Sequence, residues 1–261
     1  MEVHAHSHTP RKKWTHYFWE FLMLFLAVFC GFLAEYKLEH LIELQREEKY
    51  VVSLLEDLKK DTADLNNDLL WWALQAKRID TIHMEFDKPE HDRNLVSLYR
   101  MVSFIRAYNA FEYHDRTIDQ LKNAGFFRLL RKKNVADSLI DYDALIRSTL
   151  LNIEGGSNTI FMNVNFLQDK IFDTRYMFAG FRSNISLLDS LFRANPATFS
   201  LRAGKKEEIF EYANHLQFYK GNVLVRQTIM RSLLHKAKTL IELIEKEYYL
   251  SADRRTLQRS P

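Results

Sequence analysis

The chain has 261 residues and a mass of 31.1 kDa, of which 47% are hydrophobic and 27% charged, which supplies a core and excludes a disordered chain. Only 7 glycines and 4 prolines occur, roughly a third of the usual share, which argues against a β-sandwich, a barrel or a Gly-rich nucleotide fold and for long helices. The single Cys30 excludes a disulfide framework within the chain and a cysteine-based zinc site, and a net charge of +3 (37 Lys/Arg against 34 Asp/Glu) gives a mixed surface that predicts no nucleic-acid partner.

Residues 1–13 read as a flexible, cytoplasmic His-rich and basic tail. His4, His6 and His8 alternate, and neutral imidazoles ligate zinc, nickel or copper. No carboxylate partner or second shell accompanies them, so the expectation is a polar terminus with no metal and no cofactor.

Phe21 to Ala34 contains no charge and no proline. Alone it would rise about 21 Å, short of a ~30 Å hydrocarbon core. Extension back to Trp14 reaches ~20 residues and places Trp14, Tyr17 and Trp19 at one interface. Residues 14–34 are therefore predicted to be a transmembrane helix in contact with the lipid bilayer. The rivals are a cleaved signal peptide and a buried soluble helix. Cleavage after Ala34 would put the unsuitable Phe32 at −3, and the next residues continue the helical pattern. Arg11, Lys12 and Lys13 precede the span, whereas Glu35, Glu39, Glu43, Glu47 and Glu48 outnumber the cations after it. The positive-inside rule then predicts a bacterial inner-membrane protein with a cytoplasmic N-terminus and a periplasmic body.

Glu20 falls inside the predicted span, where an ionisable group is a functional candidate. Three readings are open. It snorkels to the interface, binds a partner helix, or couples ion movement. His16 lies four residues back on the same helical face and is within pairing reach.

Residues 35–250 are predicted to form an extramembrane helical bundle, followed by a basic tail at 251–261. No Gly or Pro occurs between Gly31 and Pro89, so the membrane helix runs on as a stalk, from about Trp14 to Phe86 and ~110 Å long. Leu41, Leu44, Glu48, Val51, Leu55, Leu58, Thr62, Leu65, Leu69, Trp72, Ala76, Ile79 and His83 form a 3-4 seam typical of a coiled coil or bundle helix. Pro89 stops it. Helices are then expected over Asn94–Phe111, from a capping box at Thr117–Gln120 to Gly125, from Asn134 to about Ile153, over Asn158–Phe178, over Ser186–Arg193 and over Lys205–Leu250. Gly155-Gly156 should separate two of them, and Gly221 is a possible kink. The last helix carries its own seam at Met230, Leu233, Ala237, Leu240, Ile244 and Tyr248. It is expected to fold back on the stalk, burying Leu55, Leu58, Leu65, Leu69 and Trp72 within one chain. A parallel homo-oligomer is the alternative.

The aromatic pair Trp71-Trp72 reads as core in preference to a ligand pocket. Arg128, Arg131, Lys132 and Lys133 read as a solvated connector in preference to a lipid or partner patch. No GxSxG, Walker loop or HExxH is present, and no enzyme is expected.

The run WEFLMLFLAVFCGFLAE, the helix EEKYVVSLLEDLKKDTADL and the later TIDQLKNAGFFRLLRKKNVADSLIDYDALI, in that order, resemble an uncharacterised family of single-pass helical membrane proteins known mainly from Bacteroidota. The resemblance covers roughly residues 17–150. It rests on Glu20 before the span, on an L-x-x-L-x-x-D helix within Leu54–Leu65, and on Leu121-Lys122-Asn123-Ala124-Gly125. The resemblance implies a membrane anchor and a helical body, and no site. The reading that follows is an all-α, non-catalytic structural or interaction protein of the cell envelope with a protein partner. Its alternatives are a small-ligand sensor or an ion-coupled component using Glu20.

Overall fold

A computed structural model describes residues 14–107, 109–177, 201 and 206–248. Every regular element among them is helical. In chain order they are α1 (Trp14–Phe86), a 3-10 turn (Glu90–Asp92), α2 (Leu95–Ile105), α3 (Arg116–Asn123), a second 3-10 turn (Phe126–Leu129), α4 (Lys133–Ile171), the single turn α5 (Thr174–Met177) and α6 (Lys206–Glu247). The chain divides into two compact units, Met1–Val52 and Ser53–Pro261, with the boundary inside α1.

The described part of the first unit is helix alone. Around Phe21–Val28 its apolar side chains face outward: Phe21 is 67% exposed, Leu24 70% and Val28 67%. An 18-residue window here has a mean hydropathy of 2.0 and is not buried at all, so α1 is long and apolar enough to cross a membrane. A helix satisfies its backbone polar groups internally, as a hydrocarbon environment requires.

In the second unit, α6 runs antiparallel to α1. Lys59 pairs with Glu245 at 3.3 Å, the Arg226 guanidinium stacks 4.3 Å over the Trp72 ring, Lys220 bonds Asp80, and Phe86 meets Tyr212 edge-on at 6.1 Å. The α1 numbers rise while the α6 numbers fall. α4 and α6 are antiparallel in the same way. Asn134 donates to Glu247 at 2.9 Å, Phe161 packs on Tyr219, and the Tyr212 hydroxyl donates to Gln168 at 3.1 Å. The predicted seam of α6 is buried at Met230, Leu233, Ala237, Leu240 and Ile244.

Several sequence expectations are corrected. Gly155-Gly156 does not separate two helices, because α4 continues from Lys133 to Ile171. Two glycines cost about 2 kcal/mol of helix propensity, an amount that packing on both sides can outweigh. Gly221 lies within an unbroken α6. Asn134 does not cap α4. The N-cap is Lys132, and the Asn134 amide serves Glu247 instead. α2 ends at Ile105, six residues before the expected end, capped at its start by Asn94, whose side chain accepts from Ser97 N–H at 3.0 Å. α3 starts at Arg116 after Asp115, so Thr117 lies inside it and is not its cap. The expected Ser186–Arg193 helix and the 251–261 tail lie outside the described residues.

Half of the stalk seam is also displaced. Leu58, Leu65, Trp72 and Ile79 are buried as expected. Between them the interior positions are Asp61, Asp68, Gln75 and Ile82, while Thr62, Leu69, Ala76 and His83 are only half-buried. At 61/62, 68/69 and 75/76 the apolar spacing favours Thr62, Leu69 and Ala76, and the helix buries their more polar neighbours; at 82/83 it buries Ile82 in place of His83.

Candidate functional site

Glu20 stands on α1 with its Oε1 3.6 Å from His16 Nδ1, both side chains about half exposed. Thr15, Trp19 and Met23 share that surface. His4, His6 and His8 lie outside the described residues. Trp72 is core, with Trp71 edge-on to it at 4.5 Å. Of the basic connector, Lys132 pairs with Glu247 at 3.5 Å, and Arg128 and Lys133 are exposed.

Among the described residues, the densest polar constellation is one that the sequence analysis does not single out. It is built on the displaced half-seam of α1. Gln75 donates to the carbonyls of Phe104 (2.9 Å) and Ala107 (3.2 Å). Asp68 accepts from the Asn109 side chain. Asp61 accepts from His114 N–H at 2.9 Å and lies 3.0 Å from His114 Nδ1, while its other oxygen accepts from the Tyr142 hydroxyl at 3.0 Å. Asp57 accepts from Thr117 N–H at 3.2 Å and from the Thr117 hydroxyl. As α1 is followed backwards from 75 to 57, its partners advance from 104 to 117. The side chains thus lash an irregular segment, Asn109–Asp115, antiparallel along the helix. They also give the first turn of α3 an acceptor that its own N-cap Asp115 does not supply.

A second layer surrounds Asp143 on α4. It accepts from Lys122, from Arg147 Nε at 3.0 Å and from the Tyr113 hydroxyl at 3.1 Å. Arg147 reaches on to Asp115 at 3.0 Å and Asp119 at 2.7 Å. The Leu-Lys-x-x-Gly run now has a physical meaning. Leu121 is fully buried, Lys122 holds Asp143, and Gly125 ends α3 at φ 63°, a left-handed conformation that glycine adopts without strain.

The electrostatics separate these acids. Burial pushes Asp61 above the ordinary carboxylate range, against hydrogen bonds from His114 and Tyr142. Burial also pushes Asp68 up, to about 6, reinforced by the nearby Asp64 and opposed by Arg226 and Asn109. At Asp143 burial acts the same way, but the bonds from Lys122, Arg147 and Tyr113 outweigh it and hold the carboxyl low. Tyr113 and Tyr142 are driven up by burial and by the carboxylates they serve, so both remain neutral donors. The void among Asp57, Asp61, Tyr113, His114 and Tyr142 has a volume of about 10 Å³, room for no more than one water. The arrangement fastens chain segments together, and its donors and acceptors are mostly occupied by one another.

A larger cleft of about 480 Å³ lies elsewhere in this unit, lined by Phe86, Lys88, Arg93, Leu201, Lys206 and Ile209 among others. No group of three or more His, Cys, Asp or Glu side chains fit to hold a metal occurs among the described residues. No protein-family model, no curated protein and no solved structure matches the chain.

Proposed function

We propose that this chain is a non-catalytic, single-pass membrane protein of the cell envelope that holds a helical body at the membrane for interaction with another protein. The observation that carries the reading is the outward-facing apolar surface of α1 around Phe21–Val28, which no other described element of its unit covers. In water such a surface would aggregate, and in a bilayer it is the expected state. The non-catalytic part of the reading is supported by the acid and tyrosine network of the body, whose groups are engaged with one another around a void too small for a substrate. The Lys/Arg distribution favours a bacterial inner-membrane location with the N-terminus cytoplasmic and the body periplasmic. The antiparallel contacts between α1 and α6 support closure of the bundle within one chain, although they leave room for a homo-oligomer through other faces. A phosphatase fused after Pro261 should be active outside the cytoplasm, and mild-detergent purification should recover a partner. An inactive fusion, with a cytoplasmic reporter active at the same position, overturns the orientation.

The second reading, a small-ligand binding module, is favoured by the cleft at Phe86, Arg93 and Ile209, whose lining joins apolar side chains to charges of both signs, Lys88, Arg93 and Lys206 beside Asp87 and Glu90, and suits a small amphipathic molecule. Ile209→Trp would fill it. Unchanged partner recovery and phenotype in that variant favour the interaction reading, and their selective loss favours the ligand reading.

A further inference from the structure

The lashing of Asn109–Asp115 onto α1 is uneven. At Asp61 both carboxylate oxygens have donors, from His114 on one side and Tyr142 on the other. At Asp143 three donors converge. Asp68 is different. It is 4% exposed, it receives the Asn109 amide on Oδ1, and its Oδ2 is buried with no hydrogen-bond partner. An isolated buried carboxylate oxygen is costly when the group is charged.

The charges around it do not neutralise it. On its own helix, Asp64 lies one turn away and adds a like charge. From α6, Arg226 acts favourably, but its guanidinium is stacked 4.3 Å over the Trp72 ring. From the lashed segment comes the neutral Asn109 amide. The nearest imidazole of that segment, His114, faces Asp61 at 3.0 Å and Asp64 at 3.7 Å.

We propose that Asn109–Asp115 is a proton-sensitive strap, held closed when Asp68 is protonated and loosened when Asp68 ionises beneath it. Opening the strap gives the Asp68 carboxylate access to water, which stabilises its charged form. The closed state keeps that carboxylate dry beside Asp64. The two states therefore bind the proton with different affinities, and pH shifts their balance. The direction follows from the burial of Asp68, whose carboxyl lies at about 6 in the closed state against 3.8 for an ordinary aspartate. Acid closes the strap, and alkali opens it. Unlike a histidine switch, this device works through a carboxylate that burial has moved into the physiological window.

The test is amide hydrogen exchange of the strap in the full chain in detergent micelles, between pH 5 and 8. Each rate is normalised to the unfolded-chain rate at the same pH. The strap opening constant should rise about tenfold more across this range in the wild type than in Asp68→Asn, which has no charge to bury. An equal rise in both, or a fall with pH in the wild type, overturns the proposal. Carboxyl carbon NMR of the wild type gives a check that needs no variant. A titration midpoint for Asp68 near 6 supports the strap, and a midpoint in the ordinary aspartate range sinks it.

Discussion

The two ends of α1 treat side chains in opposite ways. Around Phe21–Val28 the helix presents large apolar groups to its surroundings, and it offers few polar ones. From Asp57 to Gln75 the same helix turns Asp57, Asp61, Asp68 and Gln75 inward, between the apolar positions Leu58, Leu65 and Trp72. In the first case, on the membrane reading proposed above, the medium decides, because a bilayer rewards exposed apolar surface. In the second the neighbour decides, because an irregular segment has free backbone groups that only polar side chains can satisfy. Helical periodicity by itself does not distinguish a face that meets lipid, a face that meets leucines and a face that meets a strap.

The inward polar half-seam can be broken most severely at Asp61. Asp61→Ala removes the acceptor of His114 N–H and of the Tyr142 hydroxyl and leaves both donors in the interior. A loss of about 3–5 kcal/mol is expected in denaturant unfolding, since groups left unpaired cost more than the bonds themselves. A loss below about 1 kcal/mol would mean that the segment is not fastened there.

Asp68→Asn should move stability the other way. The folded-state value of Asp68, about 6, lies above its unfolded value of 3.8. Between these values the folded chain binds more protons than the unfolded one, so this group lowers stability as pH rises from about 4 to above 6. The variant should gain about 1–3 kcal/mol at pH 8 and nearly nothing at pH 4, read from unfolding curves at the two values. A gain independent of pH would contradict the account.

Gly125→Ala is a smaller perturbation. The position has open space for a methyl group but a φ of 63°, so the cost should be about 1 kcal/mol from backbone strain alone. At the outward-facing end, Glu20→Gln should be smaller still. With its side chain about half exposed beside His16, membrane insertion, protein level and partner recovery should stay near wild type. Loss of the partner at normal protein level would move Glu20 from anchoring to partner binding or ion coupling.

Much of the fold was legible because it depends on run length and punctuation. The stop after Phe86, the long uninterrupted α1 and the turn at Gly125 follow from the scarcity and position of Gly and Pro, and the buried seam of α6 follows from its apolar spacing. The polar ladder was not legible, for a physical reason. Asp61, Asp68 and Gln75 recur every seven residues, one position before Thr62, Leu69 and Ala76, and hydropathy prefers the latter set. The strict seven-residue recurrence of acid or amide, interleaved with Leu58, Leu65 and Trp72, was the available signal. The start of the strap, Asn109–Phe111, falls in a stretch apolar enough to read as helix up to Phe111. Gly155-Gly156 misled because local propensity is weak against tertiary packing.

The contrast between the two ends of α1 is tested most directly by alkaline carbonate extraction of membranes from cells making the full chain, beside a Leu24→Arg/Phe25→Arg variant. The account predicts that the wild-type chain stays in the membrane pellet at its full length. It predicts that the variant, with two charges at the centre of the span at about 2.5–3.5 kcal/mol each, is largely released. Release of the wild-type chain, or recovery of a shortened chain lacking residues 1–34, would contradict it.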